Sequence, residues 1–239
     1  MKALSRFVDL HIIPRADDLH STRKMAESLK MVGYRSVALT LPTAILIEHS
    51  KALTQCFVQV GLETVSRIDL TCSNRYELLK LLRRFRNQYD VVSVQCTNQN
   101  VAAVACRDRR VDVVFFDPNN RKMKFTHTLA RLLNGALELN LSFLLDRESS
   151  DAINKAMRQM TVAREHRVKV VLSSGCTSPK MVRSPMQLRA IGVTLGLSEA
   201  QSAEAVSSVP SSIIESNLER RSPLYIEEGV RLVGRSELK

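Results

Sequence analysis

Two hydrophobic patterns alternate along this chain. Short apolar runs, bounded by Gly, Pro, Asn and Asp, take turns with longer segments whose apolar residues recur at helical spacing. The short runs predict strands at 7–13, 36–41, 63–71, 90–96, 111–116, 141–145 and 168–173. The longer segments predict helices at 17–31, 43–57, 75–87, 99–107, 125–139 and 149–166, the last capped by Ser149 or Ser150. Pro14, Pro42 and the Asp117-Pro118-Asn119-Asn120 turn stop three of the strands. Gly33 stands where a helix C-terminus favours glycine. Segment 75–87 is strongly amphipathic, with Leu78, Leu79, Leu81, Leu82 and Phe85 on one side.

After Ser173 the alternation stops and only helices are predicted. Ser184-Pro185-Met186-Gln187 combines a capping residue, a proline at the first helical position and a Gln three residues on. Gly196 ends that helix, Ser198-Glu199-Ala200-Gln201 opens a second, and Ser208-Val209-Pro210 opens a third that runs to about Arg220. The tail after Arg221 reads as frayed, with Leu224, Ile226 and Val230 available to dock. Strand–helix repetition argues for a parallel sheet buried on both faces. No GxGxxG follows the first strand, so a dinucleotide-binding open sheet has no support. Seven strands in this length suit a degenerate, TIM-like (β/α) barrel whose last unit is missing, with a helical C-terminal extension. The expected organisation is one α/β domain over 1–239: a barrel core at 1–175, a basic loop and C-terminal helices at 176–221, and a tail at 222–239.

Composition adds a partner. The 239 residues are 44% hydrophobic and 25% charged, enough to bury a core. The net charge of +11 and pI near 9.8 favour an acidic partner: RNA, DNA or an anionic membrane. The five cysteines are odd in number and show no CxxC spacing, which suits reduced, buried thiols. Arg6, Asp9 and Arg15 break up the N-terminal apolar run, and no segment reaches about 18 apolar residues. The expectation is a cytoplasmic protein without membrane contact.

Catalytic chemistry is thin in the sequence. Asp9-Leu10-His11 lies on the first strand, where a barrel enzyme can start a metal site. Barrel metallohydrolases usually place a second His two residues further on, and here that residue is Ile13. Asp9 and His11 therefore read as structural or vestigial, and no metal is expected on this chain. Asp69, Asp117 and Asp146 are further rim carboxylates, but no His or Lys is placed to complete an acid/base pair with them. No GxSxG, HExxH, P-loop or kinase motif occurs.

The cations carry more. Residues 75–124 hold eleven Lys and Arg against five Asp and Glu. Arg83, Arg84 and Arg86 end a helix, where the dipole favours them equally well. Arg107, Arg109 and Arg110 fall on a helix-to-strand turn, on the rim opposite the strand C-termini. Between His166 and Ser198 there is no acid at all, yet Arg167, Lys169, Lys180, Arg183 and Arg189 fall inside. The loop at 173–189 offers hydroxyls, backbone N–H groups, Lys180, Arg183 and the helix N-terminus at Ser184, all suited to phosphate. With 5% aromatics and no stacking strip, binding by shape and phosphate charge on folded RNA fits better than reading of single strands.

The chain resembles the ribonuclease P protein component 3 family, the archaeal counterpart of the eukaryotic thirty-kilodalton subunit. The resemblance rests on Phe7-Val8-Asp9-Leu10, Tyr89-Asp90-Val91-Val92-Ser93-Val94 and Val111-Asp112-Val113-Val114. It rests most on Val171-Leu172-Ser173-Ser174-Gly175, followed by Arg183-Ser184-Pro185 and Gly196-Leu197-Ser198, in this order over about residues 5–220. It implies a degenerate TIM barrel related to the polymerase-and-histidinol-phosphatase (PHP) metallohydrolases. It implies a protein subunit of the ribonucleoprotein that removes the 5′ leader of precursor tRNA. Such a subunit binds and stabilises the catalytic RNA and pairs with a Pop5-type subunit among other ribonuclease P proteins. The RNA performs the hydrolysis with Mg²⁺, and the protein reaches precursor tRNA through the holoenzyme. On this reading Lys180, Arg183, Arg189, Ser184, Arg107, Arg109, Arg110 and Lys122 are the candidate RNA contacts and no residue is catalytic. The competing expectation is a PHP-type metal-dependent phosphoesterase.

Overall fold

Seven strands hydrogen-bond side by side in chain order, every neighbouring pair parallel. They are β1 (Phe7–Ile12), β2 (Tyr34–Thr40), β3 (Glu63–Thr71), β4 (Val91–Gln95), β5 (Val113–Phe115), β6 (Ala136–Asn140) and β7 (Val170–Ser173). Between them lie α1 (Leu19–Met31), α2 (Ile47–Val58), α3 (Arg75–Phe85), α4 (Gln99–Arg107), α5 (His127–Leu132), the short α6 (Ser142–Leu145) and α7 (Ser150–Glu165). After β7 come α8 (Pro185–Thr194), α9 (Glu199–Glu204), α10 (Ser208–Arg220) and an antiparallel pair, β8 (Tyr225–Glu227) with β9 (Val230–Arg231). This computed structural model describes residues 7–41, 47–120, 122–145, 150–222, 225–227 and 230–231. The expectations for Pro42, the start of the 43–57 helix, Asp146, Ser149 and Leu224 lie outside those residues.

The sheet curls into a barrel that closes without an eighth strand. At the C-terminal end Ile12 bridges Cys176 in parallel, and the Ile13 amide donates to the Cys176 carbonyl at 2.9 Å. Lower down, the link between α9 and α10 fills the gap. The Ala205 carbonyl accepts from Leu172 of β7 and the Val206 carbonyl from Val8 of β1, both at 3.0 Å. A short piece of chain thus accepts one edge amide from each flanking strand and bridges the gap that an eighth strand would fill.

The C-terminal extension then seals the barrel from below. Ile214 of α10, with Val209 and Ile213, packs on Val8, Leu10, Ala38, Val91, Val113, Ala136 and Val171. The larger core lies between the sheet and the outer helices, with Met25, Leu29, Phe57, Leu78, Leu82, Val101 and Met160 facing it. Helix starts follow local chemistry. Asn74 caps α3 through the amides of Tyr76 and Glu77, and Asn98 caps α4 through Val101. Ser184/Gln187 and Ser198/Gln201 are reciprocal capping boxes.

Two expectations are corrected. The helix expected at 125–139 ends at Leu132, and the sixth strand is Ala136–Asn140 rather than 141–145, of which Ser142–Leu145 forms α6. Ala136-Leu137-Glu138-Leu139 has good helix propensity, but tertiary pairing overrides it. The Ala136 amide donates to the Asp112 carbonyl at 2.9 Å, and a Cβ on Gly135 would lie 2.5 Å from that same oxygen. Only glycine allows β6 to enter the barrel that close to β5. The tail, expected to fray, forms the β8–β9 pair, with Ile226 exposed.

Candidate functional site

The mouth of the barrel holds a buried ionic network. Arg67 of β3 is fully buried, and all five of its N–H groups have acceptors. Nε donates to Asp69 Oδ1 at 2.7 Å. Nη1 donates to the Leu10 carbonyl at 2.7 Å and to Glu138 Oε1 at 2.9 Å. Nη2 donates to Glu138 Oε2 at 2.6 Å and to Ser93 Oγ at 3.1 Å. The Arg67–Glu138 pair is thus bidentate, the strongest form of ion pair a side chain can make. Ser173 Oγ adds a 2.5 Å bond to Glu138.

His11 joins this network because β1 is bulged. Asp9 pairs with Val37 and Ile12 with Leu39, so three steps on β1 match two on β2. The extra residue lets Leu10 pack inside the barrel while His11 also points inward. His11 Nε2 lies 3.0 Å from Asp69 Oδ2, though without hydrogen-bond geometry. Its Nδ1 lies 3.3 Å from Glu138 and 3.0 Å from Asn140 Nδ2. Asp9 turns the other way and accepts from the amides of His11, at 3.1 Å, and Ser174, at 3.3 Å.

Charges in this dry space shift one another. Burial and the Arg67 charge oppose protonation of His11, but the Asp69 and Glu138 carboxylates outweigh them and raise it to about 9. Burial would raise Glu138, yet Arg67 and His11 bring it down to about 2, and Asp69 is held low by the same two cations. Asp9, whose main influence is burial, rises to about 6 despite its bonds to Ser174 and His11. Its carboxyl is therefore the one in the mouth nearest to being neutral.

The sequence places no His or Lys to complete a carboxylate pair. That is corrected here: His11 sits between Asp69 and Glu138. The cluster does not suit a divalent metal, however. Both carboxylates that face His11 already bind a guanidinium, whose positive charge lies where a cation would need to be. Among the described residues no three His, Cys, Asp or Glu are grouped to hold a metal. Arg67 and Glu138 carry no motif that marks them in the sequence. The alternation in Val65-Ser66-Arg67-Ile68-Asp69 does place Arg67 and Asp69 on one face. Glu138 was hidden in the expected helix.

The basic candidates divide between two rims. Lys180 and Arg183 lie in the loop after β7, Lys122 in the loop after β5, all on the strand C-terminal side. Lys180 and Lys122 are exposed. The Arg183 guanidinium folds back on the carbonyls of Lys180 and Val182, and the Tyr34 hydroxyl donates to the Arg183 carbonyl at 3.0 Å. The basic loop is therefore shaped by its own bonds and pinned to β2. Ser184 uses its hydroxyl to cap α8. Arg189 pairs with Glu199 at 2.7 Å and Arg110 with Asp108 at 2.6 Å, both partly exposed contacts of small energy. Arg107 ends α4, and Arg109 and Arg110 follow it on the opposite rim, so the structure does not join the two groups. Arg86 points inward to Asp112 at 2.6 Å.

Residues 6–222 match the family model described as RNase P subunit p30. Ribonuclease P protein component 3 of Methanosarcina acetivorans is 30% identical over 236 residues, covering 96% of this chain and 95% of the relative. The protein of that name from Methanothermobacter thermautotrophicus is 26% identical over 245 residues, covering 98% of each. Among solved structures, a chain in the cryo-EM structure of archaeal ribonuclease P with mature tRNA superposes with a TM-score of 0.81 at 17% identity, covering 95% of this chain and 98% of that one. Histidinol phosphate phosphatase from Lactococcus lactis, solved with zinc, L-histidinol and phosphate, superposes with a TM-score of 0.54 at 11% identity, covering 81% and 95%. At these identities the two structures show a shared barrel fold.

Proposed function

The chain belongs to the RNase P subunit p30 family, and from that premise we propose how it serves the ribonucleoprotein that removes the 5′ leader of precursor tRNA. It is a protein subunit of ribonuclease P. Its barrel is a scaffold that grips the catalytic RNA and leaves the cleavage to that RNA and its Mg²⁺. One observation supports this most: the Arg67 guanidinium is bound by Asp69 and Glu138 beside His11, so a fixed side-chain cation already occupies the space between the carboxylates that a divalent metal would need. The chain itself then needs no metal, and Asp9 and His11 serve the architecture.

RNA contact falls to the two rims: Lys180, Arg183, Arg189 and the α8 N-terminus at Ser184, with Lys122, on one side, and Arg107, Arg109 and Arg110 on the other. These groups neutralise phosphates without reading bases. Precursor tRNA is reached through the holoenzyme, and a Pop5-type subunit is the expected protein neighbour. The setting is the cytoplasm. No helix among the described residues is long and apolar enough to cross a membrane.

Reconstitution tests the proposal. Omitting this chain from a particle assembled from RNase P RNA and its other proteins should slow leader removal at low Mg²⁺, and adding it back should restore the rate. An unchanged rate on omission would refute the scaffold role.

A further inference from the structure

A cavity lies beneath the barrel, away from the ionic network at the mouth. Its volume is about 300 Å³. One wall is the N-terminal rim where β5, β6 and β7 begin, and the other is α10, which contributes Ser212, Ser216 and Asn217. Three cations reach it from separate elements: Arg109 from the turn before β5, Lys169 from just before β7, and Arg220 from the last turn of α10. All three are exposed, and no ion pair among the described residues engages them. Asp112 also lines the cavity, but its carboxylate accepts from Arg86 at 2.6 Å and from the Val92 amide at 2.7 Å. Its charge is therefore already matched.

Asn217 gives an independent sign. It is 2% exposed in the cavity wall, and its Nδ2 has no hydrogen-bond partner. Buried amide N–H groups are nearly always paired. Three cations with no ion pair among the described residues, a buried donor and the Ser216 hydroxyl form a set rich in donors and poor in acceptors, while Ser212 donates its proton to the Val209 carbonyl at 2.8 Å. A tetrahedral oxyanion, with several oxygens to share, matches such a set. The bottom of the barrel is also one of the two rims on which RNA contact rests.

We propose that this cavity is a phosphate pocket that holds one backbone phosphate of the ribonuclease P RNA. The inference builds on the RNA-binding role proposed above and adds Lys169, Arg220 and Asn217 to it. Because the contact is to backbone, it fixes position on the RNA rather than reading sequence.

Two measurements test it. The first is the salt dependence of RNA association by the full chain. Lys169→Ala/Arg220→Ala should weaken binding and reduce the log–log slope by about 0.7–0.9, the value of one lost phosphate. Lys180→Ala/Arg183→Ala, on the other rim, serves as the comparison. If that pair flattens the slope and the pocket pair does not, the pocket inference falls while the RNA-binding role stands. If the unaltered chain shows no salt-dependent association, both fall. The second is the Asn217 side-chain amide resonance during titration of the free chain with inorganic phosphate. It should shift, and the shift should vanish in the pocket double variant. No shift overturns the pocket, and a shift with an unchanged RNA slope marks a site for free phosphate and overturns the RNA assignment. An acidic protein partner in the cavity would likewise leave the RNA slope unchanged.

Discussion

Replacing Arg67 by Met is the sharpest perturbation of the barrel mouth. Methionine fills much of the same volume but donates nothing. The guanidinium makes five hydrogen bonds, two of them to Glu138 and one to Asp69. Both Arg67 and Glu138 have no exposed side-chain surface. Removing one partner of such a pair leaves an uncompensated buried carboxylate, which costs about 3–5 kcal/mol. A chain of this length has an unfolding entropy of about 0.5 kcal/mol/K. Arg67→Met should therefore lower Tm by roughly 6–10 °C at neutral pH. Circular dichroism melts of Arg67→Met, Glu138→Met and the double variant close a cycle. The double variant should lose much less than the sum of the singles, because two apolar residues of similar size replace the pair without orphaning a charge. A single-variant loss under about 2 °C, or strictly additive losses, would refute the view that this pair is dry and mutually dependent.

The same network sets a pH response. His11, raised to about 9 from 6.5, contributes stability that is complete below about pH 6.5 and lost as pH rises towards 9. Glu138, lowered to about 2 from 4.5, contributes stability present above about pH 4.5 and lost as pH falls towards 2. Tm should thus decline between pH 6.5 and 9, and His11→Gln should flatten that limb; a wild-type Tm that is level there would count against a protonated His11. Gly175→Ala should destabilise by about 1–3 kcal/mol in urea unfolding, since φ is +62° and the new Cβ would meet Asn140 Oδ1 at 2.0 Å. Gly196→Ala, at φ +108° with nothing within 4 Å, should cost less, and equal losses would show that the clash is not felt. Ser184→Ala removes a capping-box hydroxyl and should cost about 1 kcal/mol by the same measurement, with no loss contradicting the cap.

Much of this molecule can be read from its sequence, for reasons that differ by element. The strands buried on both faces announce themselves as apolar runs, as in Val91-Val92 and Val170-Val171-Leu172. The two capping boxes fix the starts of α8 and α9 by local chemistry alone. β6 is illegible because Ala136-Leu137-Glu138-Leu139 satisfies helix propensity, whereas its pairing with β5 depends on the Asp112 carbonyl beside Gly135, a long-range contact. A helical pattern there also conceals Glu138, and with it the partner of Arg67. His11 stands out in the sequence, but its inward direction depends on a bulge that no local pattern signals. The cations of the lower cavity lie more than fifty residues apart in the chain, so only the closure of the barrel by α10 brings Arg109, Lys169 and Arg220 together.

The central claim is that this barrel is a catalytically silent support for RNA. It is tested most directly by incubating the purified chain, free of RNA, with precursor tRNA in Mg²⁺, Mn²⁺ or Zn²⁺ and resolving the products. The precursor should stay intact under every metal. Release of the 5′ leader by the protein alone, lost in His11→Gln or Asp69→Asn, would contradict it.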